Sequence, residues 1–394
     1  MKSNFGNTKK QNLRSEFLPF SLPDIGDEEI NEVVNTLKSG WITTGIKTKK
    51  FENNFKTYIG CGEAIALSSC TAALHLALVA SGVGKGDEVI TTPFTFAATG
   101  EVIIYVGAKP VFVDIKNDTY NIDPEAIENA ITSKTRAIIP VHYAGQPCDM
   151  DEILRIAHDH DLIVIEDAAH AVGAKYKNRM IGTIGDYTAF SFYATKNLTT
   201  AEGGMVTTEN LENAEKIRIL GLHGMSKDAW KRYGAGGSWY YEIMEAGYKY
   251  NMTDIQASIG IHQLARFEKF QEKRNIYAKR YTDELKDIKG ITTPYVHPDI
   301  QHAWHLYTIL IDPEIMGIDR SQFIDAMALK NIGMSVHFIP LHLHPYYRDT
   351  YGYKRGDFPN AEYIYDRIVS LPLYPSMTDD DLNYVINAIK SITA

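Results

Sequence analysis

The sequence predicts an α/β fold, a mostly parallel doubly wound sheet followed by a smaller α+β region. Three observations carry this. Between Ala64 and Asp167 short apolar strand runs alternate with helical patterns, the order that builds a parallel sheet with crossover helices. Beyond about Leu285 the pattern changes to strand, helix, strand, loop and helix. At 394 residues the chain is too long for one compact core, which points to two domains. We expect a flexible N-terminal tail over residues 1–18, a large α/β domain over residues 19–265 and a small α+β domain over residues 266–394.

The first helix is expected over residues 27–39, where Ile30, Val33, Val34 and Leu37 fall at helical spacing and Gly40 follows as a stop. The loop WITTG after it carries an aromatic ring and two hydroxyls, Thr43 among them, where binding groups are often placed. Strands follow at AIAL, VITT, PVFVDI, AIIPVH and LIVIED, with helices over residues 71–79, from Thr95, from Pro124 and over residues 150–158. A further strand opens the run DYTAFSFYATKNLTTAEGGMV, and strand MVTT and a helix over residues 211–219 come next. Residues 221–241 are rich in glycine and tryptophan, and a loop of that length is usually functional or mobile. Thr253-x-x-Gln256 reads as a capping box opening a long helix to about Leu285, and this helix is the expected domain boundary. The C-terminal part should hold strand HLYTILI, a helix over residues 321–329, strand GMSVHFI, a His-Pro-Tyr loop and a helix from near Thr378.

Composition narrows the function. Forty basic against forty-nine acidic side chains leave a formal net charge of −9, which argues against a nucleic acid or an anionic membrane as the main partner. Residues 1–14 are polar and basic without the apolar centre of a signal peptide, and no apolar run is long enough to span a bilayer. Cys61, Cys70 and Cys148 are odd in number and widely spaced, which fits a reduced, cytoplasmic compartment.

Three places suggest chemistry. Lys196 follows a strand end, where open α/β sheets assemble their sites. Held between Tyr193 and Leu198, it reads either as a desolvated, nucleophilic amine or as a solvated loop lysine. Ser68 to Ala73, a strand-to-helix turn of small and hydroxyl residues, reads as an anion site or as an ordinary helix cap. Neither G-x-x-x-x-G-K-[ST] nor a strand-borne G-x-G-x-x-G is present, so nucleoside triphosphatases and dinucleotide oxidoreductases lose support. Asp167 ends the strand LIVIED and needs a cation or hydrogen-bond donors. Glu166, Asp167 and His170 lie close in sequence without a second ligand cluster beside them, and the histidines His337, His342 and His344 fit no common ligand set, so no metal is expected.

Asp167 in EDAAHA, Ser191 and Lys196 in SFYATKNLTTAEGG, TAALHLAL upstream, and GYKYNMTDIQASIG and HFIPLHLHPYY downstream resemble the nucleotide-sugar aminotransferases of the DegT/DnrJ/EryC1/StrS family. The resemblance runs from about Pro19 to the C-terminus with the motifs in order. Within the family, HGMSKDAW and GYKYNMTDI are similar to enzymes that aminate 4-keto sugars carried on uridine diphosphate.

The resemblance implies a fold-type I enzyme using pyridoxal 5′-phosphate (PLP), with L-glutamate as amino donor and a nucleotide-linked ketosugar as acceptor. It makes Lys196 the amine that joins the cofactor and then moves the proton. Asp167 holds the pyridine nitrogen protonated, Phe96 stacks on the ring, and His170 contacts the ring oxygen region. Thr71, the Ala72 amide and Ser191 hold the phosphate. Thr43, Lys227, Arg232, His337 and His342 are the substrate-side candidates, and Lys231 accompanies Lys227 and Arg232 as a possible diphosphate contact. The resemblance also implies a homodimer with shared sites, Asn251 reaching the neighbour's cofactor phosphate. Related sugar deoxygenation enzymes carry histidine in place of the lysine, against which Lys196 argues. A regulatory DNA-binding role would need an appendage that the sequence does not show.

Overall fold

The computed structural model describes residues 13–226 and 240–393. Helix α1 (Asp27–Ser39) starts where the Glu29 carboxylate accepts from the Gly26 amide, 2.8 Å, and stops at Gly40, whose φ of 75° is the left-handed conformation that glycine adopts without penalty. Its inward face is polar: Thr36 bonds Ser258 at 2.6 Å, and Glu29 accepts from Gln263. The apolar stripe of Ile30, Val34 and Leu37 faces outward and is exposed in the single chain. Helix α2 (Ile46–Ile59) buries Phe51 and Phe55 beneath the sheet.

The large sheet has seven strands: β1 (Glu63–Leu67), β2 (Glu88–Thr91), β3 (Lys109–Phe112), β4 (Thr135–Ile139), β5 (Ile163–Asp167), β6 (Tyr187–Ser191) and β7 (Gly204–Thr208). They lie in the order β1-β7-β6-β5-β4-β2-β3, parallel except for β7, which runs antiparallel to both neighbours. Helices α3 (Cys70–Ala80), α4 (Ala97–Tyr105), α5 (Pro124–Ala130), α6 (Met150–Asp159) and α7 (Leu211–Leu220) cover the two faces. Successive residues of one strand feed opposite cores, as the period of two requires: Val164 packs with Phe51, Phe55 and Phe190, whereas Ile165 packs with Leu74, Leu78 and Ile217. In the first core Phe55 meets Phe190 edge-on at 5.2 Å and Phe51 meets Phe192 at 5.3 Å, geometry that adds about 0.5–1.5 kcal/mol per aromatic pair beyond area burial.

Thr253 caps α8 (Asp254–Ala265) through the expected box. The long helix expected to reach Leu285 is instead broken at Arg266, and α9 (Phe267–Leu285) follows. The break places the Arg266 guanidinium on Asp24 at 2.9 Å and Glu29 at 2.6 Å, which ties the turn to the start of α1. Beyond α9 a smaller antiparallel sheet joins Ile291–Thr292, Tyr307–Ile311 and Ile368–Leu371, flanked by helices Arg320–Ala328 and Asp379–Ile392. A shared apolar cluster of Phe94, Phe112 and Tyr143 with Leu306, Leu341 and Tyr347 seats this part against the open edge of the large sheet.

Two further expectations differ from the structure. GMSVHFI forms no strand: only Ser335 bridges to Ser370, because the following polar groups bond across the chain instead, the His337 carbonyl to the Tyr143 hydroxyl (2.6 Å) and the His337 ring to Ser370 (2.8 Å). Residues 14–18, assigned to a loose tail, are fastened: Arg14 pairs with Asp381, Asn331 donates to the Arg14 carbonyl at 2.7 Å, and Leu18 is buried beside Ile332. Residues 1–12 of that tail lie outside the described residues. Cys61, Cys70 and Cys148 are free and buried, and among the described residues no helix is long and apolar enough to cross a membrane.

Candidate active site

Between β6 and β7 the chain makes a tight excursion. Phe192 and Leu198 are buried as anchors, the Thr200 amide donates to the Phe192 carbonyl (2.9 Å), and the Phe192 amide donates to Gly203 (2.9 Å). Lys196 sits on this loop, half-buried, its amide donating to Tyr193. Burial pulls its ammonium down to about 8 from the ordinary 10.5, with the Cys70 sulfur and the Asp167 carboxylate pulling the other way. Burial thus makes the neutral form easier to reach than in a solvated lysine, which favours the desolvated reading.

Asp167 closes β5 and is buried. Its Oδ2 accepts from the Thr99 hydroxyl at 2.8 Å and its Oδ1 from the Ala169 amide at 3.1 Å. Burial raises its carboxyl above the usual range despite those donors and Lys196. Its neighbour Glu166 points to the other side of the strand. There it takes Thr188 Oγ1 (2.7 Å), the Gly185 amide (2.8 Å) and His142 Nε2 (2.9 Å), so Glu166, Asp167 and His170 do not converge on one metal position.

Histidines surround the amine. His170 Nδ1 accepts from the Ala144 amide at 3.2 Å, which leaves Nε2 as the protonated nitrogen of the neutral ring. The His305 ring lies 4.4 Å from that of His170, and its Nδ1 meets Asn197 Oδ1 at 3.1 Å. Asn197 spends its amide N–H on the Ala303 carbonyl (2.7 Å), so its oxygen accepts from His305 Nδ1 and His305 Nε2 is the unprotonated nitrogen of the neutral ring. Burial, reinforced by Lys196, holds both rings well below the ordinary 6.5, and pulls His337 down to about 4. The pocket thus offers imidazole donors and acceptors without fixed positive charge.

The start of α3 holds the residues expected to form an anion site. Ser69 caps it, its Oγ accepting from the Ala72 amide at 3.0 Å, so that amide is already engaged, while Thr71 stays partly exposed. A side chain at Gly204 would put its Cβ 2.4 Å from the Ser69 carbonyl, so only glycine lets β7 press against this helix start. Ser191, at the end of β6, has its Oγ 3.4 Å from the Tyr193 amide. Phe96 precedes α4 and is 63% exposed, 6.0 Å from the Phe338 ring; it is not a core residue.

Other expected residues lie elsewhere. Asn251 donates to Thr44 Oγ1 at 2.6 Å and accepts from Lys249 at 2.5 Å. With Thr44, Arg218 and Ser226 it lines a cavity of ≈ 820 Å³ whose walls include none of Asp167, His170, Ser191 or Lys196. Thr43 is exposed on the same loop, its carbonyl accepting from the Asp254 amide. His342 is fully buried against Phe358 and bonds Glu362 at 2.8 Å, outside the histidine group around Lys196. Lys227, Lys231 and Arg232 lie outside the described residues. Sequence reasoning missed Thr99, His305 and Asn197. Thr95 and Thr99, hydroxyls four apart at the start of an apolar helix, were the available signal for the first; only the fold brings the other two to the site.

Residues 23–390 match the DegT/DnrJ/EryC1/StrS aminotransferase family. The chain belongs to that family. An uncharacterized protein of Methanocaldococcus jannaschii is 64% identical over 382 residues, 97% of this chain and 99% of its own. The spore coat polysaccharide biosynthesis protein SpsC of Bacillus subtilis is 57% identical over 380 residues, 96% of this chain and 98% of its own. Spr1654 of Streptococcus pneumoniae, assigned as a sugar aminotransferase, has been solved in PMP, apo and PLP forms. Its PMP form superposes with a TM-score of 0.89 at 37% identity, covering 96% of this chain and 98% of that one. The protein is a PLP-dependent sugar aminotransferase of fold type I. The site fits that cofactor on its own chemistry: an amine whose burial favours the neutral form, a buried carboxylate with no cation in hydrogen-bond contact among the described residues, a helix start beside Ser191 and an exposed apolar ring.

Proposed function

We propose that the enzyme moves the amino group of L-glutamate to a nucleotide-linked ketosugar, a 4-keto sugar on uridine diphosphate, giving an amino sugar for polysaccharide assembly. The observation that carries the reading is the pairing of Lys196, its amine pulled down to about 8, with the buried Asp167 carboxylate at the ends of neighbouring strands β6 and β5. When bound, PLP accepts the amino group from one substrate, passes it to the other and draws electrons from the carbon that exchanges its proton.

Lys196 Nζ takes that proton and returns it, which a neutral amine does and an ammonium does not. Asp167, oriented by Thr99 and the Ala169 amide, balances a protonated ring nitrogen. Phe96 covers the ring face. His170 offers its Nε2–H to the ring oxygen, consistent with the tautomer imposed by Ala144. Thr71, Ser191 and the Ala72 amide, once Ser69 releases it, hold the phosphate at the α3 start. His337 and Thr43 face the sugar nucleotide, with Lys227 and Arg232 for its diphosphate. His342, buried on Glu362, is left out of this set.

The working unit is a homodimer. Asn251 lines a cavity whose walls do not include its own chain's Lys196, which fits a residue serving a neighbour's site. Ile30, Val34, Leu37, Ile42 and Ile46 are exposed on the adjoining α1–α2 region, an apolar set that a second copy would cover. A panel of nucleotide-linked 3-keto and 4-keto sugars, assayed with glutamate for 2-oxoglutarate release, tests the assignment. The uridine diphosphate 4-keto sugar should give the highest kcat/KM; preference for a 3-keto sugar or a thymidine nucleotide would overturn the substrate assignment.

A further inference from the structure

We propose that Thr95 and Thr99 form a one-directional hydroxyl relay that keeps Asp167 ionised, making both positioning residues for the site. Thr95 Oγ1 lies 2.8 Å from Thr99 Oγ1, and Thr99 Oγ1 lies 2.8 Å from Asp167 Oδ2. All three side chains are buried, at 2%, 0% and 5% exposure, so water does not compete for these groups.

Proton counting sets the direction. Each hydroxyl carries one proton. With Asp167 ionised, Thr95 donates to Thr99, Thr99 donates to Oδ2, the Ala169 amide donates to Oδ1, and every proton has an acceptor. With Asp167 protonated on Oδ2, the chain reverses: the carboxyl donates to Thr99, Thr99 donates to Thr95, and the Thr95 proton is left over; protonated on Oδ1 instead, the relay keeps its direction, but the new proton faces the Ala169 amide, itself a donor, and is the one left over. Among the described residues Thr95 Oγ1 has no hydrogen-bond partner other than Thr99. A buried donor without an acceptor is costly, whereas an unfilled hydroxyl lone pair is not, so the relay favours the anion. It thereby opposes the burial that raises the Asp167 carboxyl.

The helix start makes this possible. Thr95 lies just before Phe96, the residue that caps α4, and Thr99 lies in the first turn of that helix, so the chain entering α4 brings the two hydroxyls together with Thr99 against the end of β5. The catalytic importance of the relay rests on the proposed pairing of Asp167 with the cofactor ring; its effect on Asp167 ionisation does not.

The test therefore starts without cofactor. Side-chain carboxyl NMR of aspartate-labelled, cofactor-free protein follows the Asp167 titration, assigned by loss of the signal in Asp167→Asn. Thr99→Val should raise the Asp167 pKa by about one to two pH units and Thr95→Val by roughly half to one, while Thr99→Ser stays near the parent. Should Thr99→Val not fold, Thr95→Val, which leaves Asp167's own contacts intact, carries the same test. An Asp167 titration that Thr95→Val leaves in place overturns the relay. In a second arm each variant is titrated with PLP by visible absorbance. Weakened binding in both valine variants, restored in Thr99→Ser, supports the relay at the working site. If the titrations shift as expected but Asp167→Asn binds PLP and turns over like the parent, the relay stands and the cofactor role of Asp167 falls.

Discussion

Lys196→Met, a change of charge at nearly constant length, should stabilise the cofactor-free protein at neutral pH. Burial lowers the Lys196 ammonium from 10.5 to about 8, so the folded state holds this proton less tightly than the unfolded chain does. Below pH 8 the charged amine is carried into the fold at a cost of about 3 kcal/mol if the whole shift is expressed. The side chain keeps partial exposure, and solvent screening reduces this to about 1–2 kcal/mol. Between about pH 8 and 10.5 the unfolded state binds more protons than the folded state, so parental stability rises with pH through that window, and above it the penalty is gone. For a chain of this size the gap corresponds to roughly 1–3 °C in Tm. Scanning calorimetry of parent and Lys196→Met at pH 7 and pH 10, cofactor removed from both, measures it. A gap present at pH 7 and reduced to about a quarter at pH 10 is expected. A gap that does not change with pH would mean that methionine merely packs better, and no gain at pH 7 would refute the claim that the amine is desolvated.

Asp167→Asn should keep measurable PLP but lower kcat at least about 100-fold, since a neutral amide does not keep the ring nitrogen protonated; near-parental turnover would point to another acid. Asn251→Asp, which sets a carboxylate against the phosphate, and Lys196→Ala should each be nearly inactive alone. Mixed in equal amounts as re-formed dimers, about a quarter of sites should regain activity if the sites are shared; no revival in verified hybrids would put Asn251 in its own chain's service. Phe55→Ala, which empties the space between Phe51, Phe190 and Phe192, should cost about 3–5 kcal/mol in denaturant unfolding, and a loss under about 1 kcal/mol would show that this core relaxes around the cavity.

Most of the framework was legible because it rests on local rules. Gly40 stops α1, Thr253 with Gln256 opens α8, and the apolar runs ending in Asp167 and Ser191 become β5 and β6. Direction was less legible: nothing local to residues 204–208 states that β7 runs against its neighbours, since that follows from a connection that returns without a crossover helix. The break at Arg266 was hidden because helical periodicity continues on both sides of it, and the bonds from Arg266 to Asp24 and Glu29 are long-range. GMSVHFI alternates like a strand, yet its polar groups bond to Tyr143 and Ser370. At the site, Lys196 and Asp167 stood out because each charge adjoins an apolar strand. His305 and Asn197 did not, because their neighbourhood is made by two segments more than a hundred residues apart.

The proposed function requires nitrogen to pass from an amino acid to a sugar by way of Lys196. Nitrogen-15-labelled L-glutamate supplied with a uridine diphosphate 4-keto sugar, followed by mass spectrometry of the nucleotide sugar, decides whether it does. Label should appear in the sugar with the parent enzyme and be absent with Lys196→Ala. Label transfer that survives Lys196→Ala would contradict the account, as would a parent enzyme that consumes the ketosugar while leaving the label in glutamate.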